Sequence, residues 1–105
     1  MSDHADRPLG PDTVCVHGGC EPDPTYGSVV TPIYQTSTFC FDSTDQGGAR
    51  FKGSEPGYIY TRIANPTTAQ LECAVAKLEE GKFALATASG MAAVTTVFFG
   101  LLSSG

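Results

Sequence analysis

Two tyrosines and an arginine fall within five residues, at Tyr58, Tyr60 and Arg62, in the run GYIYTRIANPT from Gly57 to Thr67. A spacing of two would put all three on one face of an extended segment. A planar guanidinium beside a phenolic hydroxyl suits a phosphate dianion, because the fork of Arg62 can bond two phosphate oxygens in parallel. The same residues also fit a plain aromatic strand with a surface arginine. Further on, Ser89-Gly90 stands between an apolar run and a helical pattern. The N–H groups of a helix's first turn and the helix dipole both favour an anion there, and Gly90 leaves the backbone open to a phosphate. Ser-Gly turns with nothing bound are common in α/β domains.

Other chemistry is harder to find. Cys15, His17 and Cys20 supply three zinc-ligand types, but a fourth is missing and the spacing matches no standard zinc signature. No metal site is expected. With Cys40 and Cys73 they make four cysteines without a Cys-x-x-Cys pair, read as free thiols, buried or incidental. No Ser/His/Asp set and no paired carboxylates stand out, and Lys52, Lys77 and Lys82 read as surface lysines. No residue of the chain is assigned a catalytic role.

The elements that must position these groups follow from pattern. Asn65-Pro66 reads as N-cap and first residue of a helix, since Asn accepts from orphan backbone donors and Pro has no N–H to lose. Leu71, Ala74, Val75 and Leu78 then recur at helical spacing, and Gly81 supplies a stop. Phe83–Thr87 reads as a short apolar strand fit for a parallel sheet. Met91 to about Leu102 reads as a helix apolar around nearly its whole circumference, which needs cover on all sides. Before the central run, Asp12–Gly19 fits either a strand or a short helix capped by Asp12 or Thr13 and ending at Gly18. Ser28–Phe41 is β-branched and aromatic, hence extended, but Pro32 keeps it from a central strand. Ser43-x-x-Gln46 is a capping box opening a single short turn, weakened by Gly47 and Gly48.

Composition narrows the class. The 105 residues are at most one domain, and 6 Lys and Arg against 11 Asp and Glu give a net charge of −5. That balance argues against a nucleic-acid or anionic-membrane partner. No signal peptide is evident, and Met91–Leu102 is shorter than the roughly 20 residues of a membrane span. A cytoplasmic location is expected.

GYIYTRIANPT, with PIYQTSTFCFD before it and ATASGMAA after it, resembles the pyridoxal-phosphate-dependent enzymes of cysteine and methionine metabolism. That family spans methionine gamma-lyases, cystathionine gamma-synthases and lyases, and O-acetylhomoserine sulfhydrylases. The likeness runs from about Thr13 to the last residue. It implies an α/β chain: an N-terminal arm plus the first helix–strand–helix of an aminotransferase-like (fold type I) large domain, truncated relative to a family several times longer. The implied divisions are a disordered tail at 1–12, an arm packing on a neighbouring subunit at 13–64, and an incomplete cofactor domain at 65–105. It favours the helix over the strand for Asp12–Gly19.

The cofactor it implies is pyridoxal 5'-phosphate. Ser89, Gly90 and Met91 match the turn whose amides hold the phosphate, and Tyr60 and Arg62 match the pair that reaches a phosphate from the neighbouring subunit. The Schiff-base lysine, the aspartate at the pyridine nitrogen and the ring-stacking aromatic match positions beyond Gly105, so the chain alone is expected to be inactive. The full-length enzyme implied is a homotetramer of paired dimers that eliminates the sulfur substituent of a sulfur amino acid. Gly57–Arg62 and Gln46–Phe51 are most like the methionine gamma-lyases, with the cystathionine enzymes and the sulfhydrylases as alternatives. From another class, the alternative is a non-catalytic interaction fragment or a pseudogene product.

Overall fold

The structure, a computed structural model, describes residues 10–19 and 22–104. Four helices follow one another: α1 Pro11–His17, α2 Thr44–Phe51, α3 Pro66–Leu78 and α4 Gly90–Leu101. Most of the expected tail and Cys20 lie outside the described residues. Pro11 and Asp12 do not belong to a tail, however. Gly10 is the N-cap of α1 and Pro11 its first residue, so neither Asp12 nor Thr13 caps it. Proline has no amide to leave unpaired there, which lets the helix start early. It stops at Gly18, as expected, with His17 in the last turn.

α2 is longer than the single turn expected. Ser43 Oγ accepts from the N–H of Gln46 at 3.1 Å, and Gln46 Oε1 accepts from the N–H of Asp42 at 2.8 Å. This capping box reaches one residue further back than the usual arrangement and fixes the chain's entry. Gly47 weakens the helix intrinsically but makes room: a Cβ there would meet Phe41 Cδ2 at 3.1 Å. The packing offsets the propensity.

α3 opens as read, with Asn65 as N-cap and Pro66 first. Its end differs. Gly81 N–H bonds to Ala76 O at 2.8 Å and Glu80 N–H to Lys77 O, a paired closure in which Glu80, not Gly81, takes the left-handed conformation at φ 52°. A side chain in that region is strained. Glu80→Gly should stabilise a folded protein carrying this segment by about 1 kcal/mol in equilibrium unfolding. An unchanged or lower midpoint would contradict the strain.

No sheet forms among the described residues. The expected strand Phe83–Thr87 runs extended without a ladder, its Ala86 N–H bonding to Glu72 Oε1 at 2.8 Å. A parallel strand needs neighbours along its edges, and the described residues provide none. The one β-bridge among the described residues pairs Thr38 with Tyr60, antiparallel; residues 28–41 otherwise form no strand and bend at Val29, Val30 and Ser37.

Burial explains the shape. α1 packs on α3, where a Cβ at Gly19 would collide with Gln70. Val14 is the one buried apolar side chain among the described residues. α4 buries nothing: Met91, Phe99 and Leu101 are all more than two-thirds exposed. The radius of gyration is 17.1 Å, against about 13 Å for a compact chain of this length. The elements form, but the core that would close over them does not.

Candidate functional site

The central run is held by a ladder reaching back into the arm. Phe39 N–H bonds to Ile59 O at 3.1 Å and Thr61 N–H to Ser37 O at 2.8 Å. Thr61 Oγ1 donates to Thr36 O. Tyr34 N–H bonds to Thr67 Oγ1 at 2.9 Å, and Thr31 Oγ1 donates to Gln70 Oε1 at 2.9 Å. Residues 31–39 are thus sewn to residues 59–70.

Asn65 anchors this seam and is only 4% exposed. Its Oδ1 caps α3 by accepting from Thr67 N–H at 2.8 Å. Its Nδ2 donates to Tyr34 O and to Thr61 Oγ1, each at 3.0 Å. The sequence shows the cap; the bonds to residues 31 and 4 positions away carry no local signature. They make Asn65 more than a cap. At an ordinary N-cap Asn and Asp are about equal. Here Asn65→Asp should cost about 2 kcal/mol, because it removes both donors and sets a carboxylate against Tyr34 O. A chemical-denaturation midpoint unchanged by Asn65→Asp would reduce Asn65 to a cap.

The three residues spaced by two do not share one face as expected. Tyr60 pairs with Thr38 and the chain then turns, with Ile63 and Ala64 N–H both bonding to Tyr60 O, at 2.8 and 3.1 Å. Tyr58 stacks on Phe39, ring centroids 5.4 Å apart. The turn instead brings Arg62 Cζ to 5.2 Å from the centre of the Tyr60 ring. Tyr60 and Arg62 line an open groove of about 720 Å³ with Thr36, Ser37, Asn65 and Thr67. Arg62 forms no ion pair with a carboxylate among the described residues. It also borders a second groove of about 520 Å³ with Thr68, Leu71 and Thr87. Neither groove is lined by Ser89, Gly90 or Met91.

Those three sit at the start of α4, one residue earlier than the sequence pattern suggests. Ser89 is the N-cap, its Oγ accepting from Ala92 N–H at 3.1 Å. The N–H groups of Gly90 and Met91 have no acceptor among the described residues, and a Cβ at Gly90 would meet nothing within 4 Å. The candidate residues therefore form two separate donor sets: a guanidinium with a phenol, and a pair of free amides at a helix N-terminus. Each suits phosphate oxygens.

Residues 12–105 match the family model described as Cys/Met metabolism PLP-dependent enzyme. The chain belongs to that family. It is 51% identical over 99 residues to the L-methionine gamma-lyase of Fusobacterium nucleatum subsp. polymorphum, which covers 94% of this chain and 25% of that one. It is 46% identical over 99 residues to the O-acetyl-L-homoserine sulfhydrylase of Leptospira meyeri, covering 94% and 22%. Among solved structures, an O-acetylhomoserine (thiol)-lyase from Campylobacter jejuni superposes with a TM-score of 0.84 at 40% identity, over 92% of this chain and 24% of that one. That crystal structure contains an N'-pyridoxyl-lysine-5'-monophosphate. A cystathionine gamma-lyase from Lactobacillus plantarum gives 0.74 at 39% identity, over 92% and 23%. The chain thus spans about a quarter of the length of the relatives it matches, and its fold is that segment of the fold type I architecture.

Of the two readings of the cysteines, buried or incidental free thiols, the described ones fit the second. Cys15, Cys40 and Cys73 are free but exposed, as a chain with so little core leaves them. No group of three His, Cys, Asp or Glu converges among the described residues, and no helix there is long and apolar enough to cross a membrane.

Proposed function

We propose that this chain is the phosphate-gripping N-terminal part of a carbon–sulfur lyase that carries out gamma-elimination on methionine or a close sulfur amino acid. The observation that carries the reading is Arg62, an exposed guanidinium with no carboxylate partner among the described residues, stacked beside Tyr60 and facing an open groove. An arginine fork left free of acid partners in a chain of net charge −5 is suited to an outside anion. The 51% identity to a methionine gamma-lyase favours that substrate over those of the sulfhydrylases.

The residues present fit pyridoxal 5'-phosphate. Arg62 and Tyr60 would bind the phosphate of one site, and the Gly90 and Met91 amides, with Ser89 fixing their helix, the phosphate of another. By the family resemblance, the working enzyme would place the two donor sets across a boundary between paired subunits of a homotetramer, and their lining no common groove agrees with that. Bound, the cofactor supplies an electron sink for charge developing next to the amino acid's α-carbon. The chain's own part is to hold the phosphate rigidly, so that the ring stays oriented for that chemistry. No lysine here matches the Schiff-base position. The family's soluble metabolic enzymes point to a cytoplasmic location.

The test is a chimera in which residues 12–105 replace the matching segment of the Fusobacterium enzyme. Incubated with L-methionine, it should release methanethiol, 2-oxobutanoate and ammonia. Turnover of O-acetylhomoserine with sulfide, but not of methionine, would favour the sulfhydrylase reading instead.

A further inference from the structure

Arg50 lines neither of the grooves that Arg62 borders. Its side chain is 19% exposed, and its Nε is fully buried without a hydrogen-bond acceptor. The guanidinium lies against the turn that launches the central run. A Cβ added at Gly57 would come within 2.6 Å of Arg50 Nε and 2.8 Å of its Cζ. Gly57 itself has φ 144°, a conformation that side chains rarely adopt. Arg50 Cζ is 5.7 Å from the centre of the Phe41 ring, and Nη1 donates to Cys40 O at 3.5 Å. Glu55 Oε1 stands 3.7 Å from Nε and accepts from Gln46 Nε2 at 3.0 Å. The one side chain therefore ties α2, which carries it, to residues 40–41 and to Gly57, five residues before Arg62.

We infer that Arg50 is a positioning residue for the cofactor phosphate: seated on Gly57, it fixes the path of residues 57–62 and so the placement of Arg62. The inference rests on the phosphate role proposed for Arg62. Its physical basis is rigidity. The backbone here is held by one bridge and two N–H···O bonds beside an open groove, so a packed cation at Gly57 removes the freedom that would let Arg62 wander. A bidentate contact loses strength with small misplacements. The orphaned Nε shows that the seat is shaped by packing and not by an ideal ion pair.

The test uses the chimera, stripped of cofactor, with pyridoxal 5'-phosphate affinity read by fluorescence titration and folding read by thermal melt. Arg50→Met should raise the dissociation constant about tenfold while Arg62 is present. In an Arg62→Ala background the same change should have no further effect, because Arg50 acts through Arg62. Arg50→Lys, which keeps charge and length but not the planar face against Gly57, should recover part of the affinity. It also serves as the readable variant if Arg50→Met does not fold. Losses that simply add in the double variant would overturn the inference, as would an unchanged affinity in Arg50→Met or Arg50→Lys. If Arg62→Ala alone leaves affinity unchanged, the phosphate role of Arg62 fails, and the positioning role fails with it.

Discussion

Replacing Arg62 by alanine should weaken binding of pyridoxal 5'-phosphate by one to two decades. A charge-assisted bond to phosphate contributes about 1.5–3 kcal/mol, which sets that range. The prediction depends on geometry: Arg62 is exposed, lies beside the Tyr60 ring and has no acid partner among the described residues to leave behind. Its removal should therefore leave the melting temperature of the cofactor-free protein nearly unchanged. Arg62→Lys should restore part of the affinity, since an ammonium keeps the charge but loses the bidentate fork. Lys52, exposed at the end of α2, is the fair comparison, and Lys52→Ala should bind cofactor like the parent. Arg50 cannot serve that purpose because it is packed against Gly57. Cofactor affinity equal in Arg62→Ala and the parent would remove the phosphate role.

The 105-residue chain on its own should show no cooperative melt and should bind a hydrophobic dye strongly. Val14 is its one buried apolar side chain among the described residues, while Phe83, Phe99 and Leu101 are each more than four-fifths exposed. Burial of apolar area is the main term opposing conformational entropy, and here most of that area faces water. Large apolar side chains left exposed in such number promote aggregation. The expected measurements are a featureless calorimetric trace and concentration-dependent light scattering. A sharp two-state transition from a monomer would show that the chain closes a core of its own.

What could be read from residue types was largely local. Caps at Asn65 and Ser43 follow from side chains that can reach amides two or three positions ahead, and the helices they open are present. The length of α2 was missed because Gly47 counts against a helix by propensity, whereas its worth lies in contact with Phe41, distant in the local pattern. The strand at 83–87 was misplaced for the opposite reason. Its apolar run is a statement about neighbours that the described residues do not include. At the candidate site the residue types were legible and their arrangement was not. Tyr58, Tyr60 and Arg62 alternate in sequence, but two N–H groups closing onto Tyr60 O break the alternation and pair Arg62 with Tyr60 alone. The wider roles of Asn65 and Arg50 depend on contacts that only folding brings together.

The most direct test of the account is complementation between two chimeras, assayed at a pyridoxal 5'-phosphate concentration low enough to leave Arg62→Ala largely unloaded, so that each alone is nearly inactive. One carries Arg62→Ala and keeps the Schiff-base lysine of the Fusobacterium part; the other keeps Arg62 and lacks that lysine. If Arg62 serves the phosphate of the neighbouring subunit, each mixed pair holds one site with both groups intact. Dissociating and reassociating the two together should then recover methionine turnover, at about a quarter of the parent level for random pairing of subunits. Mixed pairs that form but stay inactive would place Arg62 and the lysine in the same subunit's site, and would contradict the division of the two donor sets on which the account rests.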